Sequence, residues 1–288
     1  MRAVFKHELS SHFTGLSGYV FGAFLLLFTG IYVLSYNLSM LYVNFEYVLG
    51  GMSFIFMVIV PILTMRVLAE ERRQKTDQLL YSLPISMTEV VLGKYLAMLV
   101  VFAIPMGIIA LYPLVLSSYG DVYFPMAYSA VGGFFLLGAS LIAMGTFVSS
   151  VTESQAVSAG LCFVVMLINY FLADLASLIS ATAVASLIAL TLLVLLIAVI
   201  VWLLIKNTTV ALAVAVVGEG ATLAVYLADS SLFEGLIPNA LKALSLYQRF
   251  YDLLEGVLNI GSIVYYISVI CVLLFLSVQS MEKRRWSE

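Results

Sequence analysis

Charge is what this sequence has least of. Only 10% of its 288 residues are acidic or basic, 63% are apolar, and the mean hydropathy is +1.12. Soluble domains run nearer ~45–50% apolar, so a water-soluble fold is excluded. The apolar stretches are continuous and do not alternate every second residue, which excludes a transmembrane β-barrel. No contiguous basic face exists, so nucleic acid is not expected as a partner. Cys162 and Cys271 are the only cysteines, far apart and without CxxC or Cys/His spacing, and they read as small packing residues. The two histidines occur in His7-Glu8-Leu9-Ser10-Ser11-His12. The second comes one residue too late to share a helix face with the first, so no metal site is expected. A phosphate-binding G-x-x-x-x-G-K-[ST] loop is missing too: Gly93-Lys94 has Thr88 at the upstream glycine position and Tyr95 after it. Any ATP hydrolysis therefore belongs to another chain. Arg2 and Lys6 precede an apolar run, but no small-residue cleavage site follows and Tyr32, Tyr36 and Tyr42 crowd its place. The first span is read as retained.

What is present is a series of apolar runs of about 20 residues, the length that crosses ~30 Å of hydrocarbon as a helix. They predict an all-α, polytopic membrane protein with about eight spans, near 18–36, 47–66, 90–116, 127–148, 156–178, 181–205, 209–228 and 258–280. The fifth and sixth have only Asp174 and the run from Ser177 to Ala183 to divide them. Positive charge supports the division. With the N-terminus inside and eight alternating spans, 11 of the 13 basic residues fall inside, leaving Lys242 and Arg249 outside. Merging the fifth and sixth would put Lys283, Arg284 and Arg285 outside, against the positive-inside rule. Both termini are therefore expected in the cytoplasm. Ser86-Met-Thr-Glu89 and Thr152-Glu-Ser-Gln155 read as capping boxes opening the third and fifth spans, and Asn207 as a cap for the seventh.

Nine of the charged residues crowd into residues 61–97: Arg66, Glu70, Glu71, Arg72, Arg73, Lys75, Asp77, Glu89 and Lys94. An ionised side chain at mid-membrane costs at least ~2.5–3.5 kcal/mol, so this cluster reads as a cytoplasmic loop. Its pattern is helix, break, helix. The second span extends through Glu70 and Glu71, read as exposed carboxylates beside Arg72, Arg73 and Lys75. Thr76 caps a short helix in which Leu79, Leu80 and Leu83 form an apolar patch, and Pro84 ends it. Positive-inside charge explains the arginines of such a loop; a docking surface also explains the interleaved acids and the leucine patch.

Glu219, in Gly218-Glu219-Gly220, is the acid placed mid-span. It lines a substrate path, relays protons, or is a protonated carboxyl bonded to a neighbouring helix. Asn169 and Tyr170 read as interhelical hydrogen-bonding groups. Residues 230–257 are too polar to span. There Tyr247, Phe250, Tyr251 and Leu254 share one helical stripe, with Arg249, Asp252 and Glu255 off it. An outer amphipathic helix is expected, capping the bundle or gating release.

Three stretches resemble a known family. E-E-R-R-x-K-T-x-Q-L-L-x-S-x-P-I-S-x-x-E-V-V-L-G-K, from Glu70 to Lys94, resembles the coupling-helix region of ABC-2 type (type-2 exporter) permeases. KHELSSHFTGLSGYVFGAFLLLFTGIY near the N-terminus resembles the first helices of that family's gliding-motility branch, and SLYQRFYDLLEGVLNIGSIVYYISVICVLLFLSVQSMEKRRW its last outer helix, final span and basic-aromatic tail. Together they cover about a third of the chain.

The resemblance implies a single transmembrane permease domain over 1–288. It would carry an amphipathic interfacial helix at 2–15, a cytoplasmic coupling segment at 67–89 and an outer amphipathic segment at 230–257. It also implies a multi-pass protein of a bacterial or archaeal cytoplasmic membrane, moving substrate on ATP hydrolysed elsewhere. This chain is then not an enzyme and holds no cofactor, ATP and magnesium belonging to the ATPase. The implied partners are two copies of a cytosolic P-loop ATPase, a second permease chain forming a homo- or heterodimer, possible further membrane subunits with an outer domain, and membrane lipid. Coupling would fall on Glu70, Glu71, Arg72, Arg73, Lys75, Thr76, Leu79, Leu80 and Pro84, and reversing Glu71 and Arg72 would abolish function with folding intact. Family members commonly have about six spans, whereas this chain has eight. Two other readings stand beside this one: a proton-coupled secondary transporter using Glu219, for which no repeat between halves is found, and a non-transporting scaffold. The scarcity of charge in the spans favours an amphipathic or lipid-like cargo.

Overall fold

The computed structural model describes residues 1–74, 85–256 and 259–285, without the side chains of 204 and 205. Its described secondary structure is helical throughout. A short helix α1 (Arg2–Thr14) is followed by α2 (Ser17–Ser39), α3 (Glu46–Arg73), α4 (Met87–Leu116), α5 (Phe124–Val151), α6 (Gln155–Leu178), α7 (Ala183–Ile205), α8 (Thr208–Ala228), α9 (Leu236–Leu244), α10 (Leu246–Leu254) and α11 (Ile260–Arg285). Among the described residues, α2 to α8 and α11 are long and apolar enough to cross a membrane, which makes eight. The chain is an all-α, multi-pass membrane protein. The doubtful boundary is a real break: α6 ends at Leu178, and Thr182 Oγ1 opens α7 by accepting from the Ala185 amide at 3.4 Å. Asn207 Oδ1 likewise accepts from the Thr209 amide at 3.0 Å to open α8, and Ser86 Oγ from Glu89 N at 3.3 Å to open α4. These caps satisfy amides that a helix start leaves without a backbone acceptor. Thr152 also bonds backwards, its hydroxyl donating to Val148 O at 3.0 Å at the end of α5.

The chain divides into two compact units, 1–170 with 246–288, and 171–245. In the first, α5 is the central helix: 78% of its apolar stretch is buried. Small residues let its neighbours approach closely. A Cβ on Gly138 would come within 2.5 Å of the Phe102 ring of α4, and one on Gly145 would overlap Thr64 of α3. Aromatic rings fill the space these glycines open. Phe21, Phe102, Phe56, Phe134 and Phe250 form a continuous series with centroids 4.4–6.2 Å apart, joining α2, α4, α3, α5 and α10. Tilted and edge-on pairs at these separations add to the burial of the rings themselves.

Two helices depart from regular geometry. The last part of α2, Val33–Ser39, winds as a π-helix, in which Asn37 is buried and its Nδ2 donates to Tyr42 O at 2.6 Å. The α3 span is interrupted by a 3-10 turn at Ser53–Ile55 and by turns between Thr64 and Ala69.

The second unit is built on the α7–α8 hairpin. Lys206 takes left-handed geometry (φ 53°), and its amide bonds to Trp202 O at 2.8 Å to end α7. Val194 of α7 approaches Gly218 of α8, where a Cβ would lie 2.6 Å from Val194 Cγ1. The apolar outer faces of both helices are exposed within the structure, as expected of surfaces solvated by lipid tails.

Candidate functional site

The charge cluster is organised around Lys94. That residue lies about two turns into α4, and its side chain is only 3% exposed. A buried ammonium needs an acceptor for each of its three donors. Lys94 Nζ finds all three, at 2.8 Å from Glu71 Oε1, 3.3 Å from Glu8 Oε2 and 2.8 Å from Val67 O. Glu8 belongs to α1, Val67 and Glu71 to the end of α3. One cation thus fastens three elements together.

Arg72 is buried beside this triad, and its Nη1 donates to Thr152 O at 3.1 Å. The amides of Leu68 and Ala69, set free by the turns before them, both donate to Ser149 Oγ at 3.1 Å. The end of α3 is therefore held to α5 by three bonds and to α4 by an ion pair. At the same end, α11 is fixed to the end of α5: Ser280 Oγ donates to Ser150 O at 3.0 Å, and Arg284 reaches Val151 O at 2.9 Å and Glu153 Oε1 at 3.2 Å. Glu153 is largely exposed, so this last pair adds little.

These positions revise the sequence reading. Glu71 is not an exposed carboxylate. It is half-buried against Lys94 because the lysine, sunk in a mostly apolar helix, requires anions. Arg72 likewise points inward. Of the predicted coupling residues, Arg73 is exposed and Glu70 half-exposed, with Gln74 Nε2 donating to Glu70 Oε1 at 3.2 Å. Lys75, Thr76, Leu79, Leu80 and Pro84 lie outside the described residues. Lys94 and Glu8 were missed as site residues. The apolar residues on both sides of Lys94 were the available signal, since a lysine inside a span implies a partner.

A cavity of about 480 Å³ opens beside the triad, lined by His7, Glu8, His12, Arg66, Glu70 and Glu71 among others. His12 is buried, with Nδ1 3.1 Å from Ser17 Oγ. Burial lowers its pKa below the ordinary 6.5; Glu8 raises it and Lys94 lowers it further. The folded chain therefore prefers neutral His12. Its stabilising contribution is complete above the unfolded pKa of about 6.5 and is lost as pH falls through the lower folded value. Protection of the α1 amides against hydrogen exchange, corrected for intrinsic rates, is expected to weaken over that descent. A His12→Asn chain should lose this dependence.

At the opposite end, α10 is pinned at both of its termini. Asn169 Oδ1 accepts from Leu246 N at 3.0 Å, Tyr266 OH donates to Leu246 O at 2.7 Å, and Ser129 Oγ donates to Leu253 O at 3.0 Å. Tyr170 packs edge-on against Tyr247, centroids 4.9 Å apart. The buried face is Leu246, Tyr247, Phe250 and Leu253. Of the predicted stripe, Tyr247 and Phe250 belong to it, and burial pushes the Tyr247 hydroxyl pKa up. Tyr251 and Leu254 flank it, Tyr251 with its hydroxyl 3.3 Å from Ser53 Oγ.

Glu219 lies in α8, in the second compact unit. Thr222 Oγ1 donates to its backbone oxygen at 2.9 Å and lies 3.5 Å from Oε2, while Oε1 has no partner among the described residues.

The family model described as "ABC-2 family transporter protein" matches residues 36–187, just over half of the chain. The match includes α3 to α6, and with them Glu71, Arg72, Lys94 and Ser149. None of the curated proteins compared with the sequence matches it.

Proposed function

The chain belongs to the ABC-2 transporter family, and on that premise we propose that this transport permease is the membrane half of an ATP-driven exporter. Two cytosolic P-loop ATPase subunits would supply nucleotide and magnesium, and a second permease chain, identical or not, would complete the pathway. The charged end of α3, α4, α5 and α11 faces the cytoplasm in this reading, with both termini on that side, which the distribution of basic residues supports. A bacterial or archaeal cytoplasmic membrane and the gliding-motility branch fit the three resembling stretches. The α7–α8 hairpin would be the pair added to a six-span body.

The observation that carries the proposal is the Lys94–Glu71–Glu8 triad. A segment that only connected α3 to α4 would need no buried ion pair behind it. Fastened as it is to α1, α4 and α5, it moves with those helices, so a push on residues 70–89 from a closing ATPase dimer would tilt the spans as one body. Docking then falls on outward-facing charge, Glu70 and Arg73, with Lys75, Thr76, Leu79, Leu80 and Pro84 beyond them. Glu71 and Arg72 serve as internal braces. The pinned α10 and its residues Tyr247, Phe250, Tyr251 and Leu254 would close the outer end.

The test is affinity purification from the native membrane, beside a Glu70→Lys, Arg73→Glu chain. A P-loop ATPase is expected to accompany the unaltered chain and to be lost with the variant, while the variant's own yield and unfolding are unchanged. Reversing Glu71 and Arg72 would be a poorer test, because it also breaks the braces. Absence of any ATPase from both preparations would overturn the proposal.

A further inference from the structure

At the end of the first unit remote from Lys94 lies a second, open-sided cavity of about 480 Å³, within the size range of small-molecule sites. Its walls include Tyr36, Glu46, Tyr47, Met126, Tyr251 and Glu255. Gly50 and Gly51 also line it, and having no side chain they let neighbours come close: a Cβ on Gly50 would lie 3.1 Å from Leu254 Cδ1, and one on Gly51 would overlap the Tyr32 ring. The π-wound end of α2 brings Tyr36 to the wall.

Charge sets the character of this cavity. Its described lining holds two carboxylates and no basic side chain. Glu46 is only 6% exposed, a degree of burial at which an ionised group requires compensation. Its Oε1 accepts from Asn44 Nδ2. Tyrosines alone would be unremarkable where spans meet the membrane surface. Interfacial preference accounts for rings but not for a nine-tenths buried carboxylate facing the same space.

We propose that this cavity is a binding site for an organic cation, an ammonium group met by the carboxylates of Glu46 and Glu255 with its alkyl substituents against the rings of Tyr36, Tyr47 and Tyr251. Carboxylates neutralise such a group, and aromatic faces attract it without hydrating it. The same ammonium chemistry is offered by a soluble amine and by the headgroup of an aminophospholipid. The site stands whichever face of the membrane this end meets, and it does not depend on how transport is driven.

The experiment uses the full chain in nanodiscs of phosphatidylglycerol and measures equilibrium binding of radiolabelled tetraethylammonium. Saturable binding is expected, weakened at least about tenfold, a change of ~1.4 kcal/mol, by Glu46→Gln and also by Glu255→Gln. Because Glu255 is exposed, its variant folds even if the Glu46 variant does not. Repeating the titration with phosphatidylethanolamine in the nanodisc separates the two sources: competition identifies the lipid headgroup as the resident cation, and undiminished binding identifies a soluble amine. No saturable binding to the unaltered chain, or equal binding by the Glu255→Gln chain, would overturn the proposal.

Discussion

Replacing Lys94 by methionine is expected to destabilise the folded chain by about 3–5 kcal/mol, the range found when one partner of a buried ion pair is removed. Methionine keeps much of the volume of the lysine stem, so the loss is electrostatic. It leaves Glu71 and Glu8 close together without the ammonium that neutralises them, and Val67 O without its donor. Net stabilities of folded proteins are only ~5–15 kcal/mol, so the variant should unfold at markedly lower denaturant in mixed micelles and accumulate poorly. The effect should be local in origin, with α1 losing protection against hydrogen exchange before α5 does. A chain carrying Lys94→Met together with Glu71→Leu and Glu8→Leu should recover much of the stability, because no buried charge is then left uncompensated. It should not recover the coupling proposed above, since the fastening of α3 to α1 and α4 would be gone. A single variant within ~1 kcal/mol of the unaltered chain, the ordinary value of an exposed pair, would show that water reaches the triad and that it is no brace.

The second large effect is expected at Gly145. An alanine there puts a methyl group into the Thr64 side chain, whose hydroxyl is already committed to Val60 O at 3.0 Å. Overpacking of a close contact costs ~1–3 kcal/mol, and leucine at this position should prevent α3 and α5 from docking. Unfolding midpoints of Gly145→Ala, Thr64→Gly and the double variant form a cycle that isolates the contact. The double variant is expected to be more stable than the sum of the single losses, because the new methyl occupies the space the threonine vacates. Strict additivity would mean that the helices do not meet there.

The spans were legible because hydrocarbon imposes a simple rule of length and apolarity, which even the break between Leu178 and Ala183 obeys. Asn207 and Ser86 were legible as caps because capping is settled within a few residues. The centre of the charge cluster was not. Lys94 stands 86 positions from Glu8 in sequence: its apolar flanks imply a partner, but nothing local says which element supplies it. Reading Glu71 and Arg72 as outward charge followed from treating the segment by itself, before α5 supplied Ser149 and Thr152 to receive it. The stripe on α10 was displaced for a similar reason: helical periodicity names a face, but Ser129, Asn169 and Tyr266 decide which way the helix is turned. The cavity around Glu46 is lined by two glycines and a tyrosine of the π-wound turn, which come together only when α2, α3 and α10 meet.

The first compact unit is discontinuous in the chain, residues 1–170 being completed only by those after 245. Its central helix α5 has a flank that receives α11, and the partners of Ser150 and Val151, Ser280 and Arg284, leave the ribosome only after α7 and α8. During synthesis, the membrane must therefore accept the whole α7–α8 hairpin while that flank is still open. Lipid tails or an insertion factor have to cover the small-residue surface of α5 in the meantime. The order of manufacture, as much as the finished packing, then sets a demand on the hairpin: it must insert before the unit that it interrupts in the chain is complete.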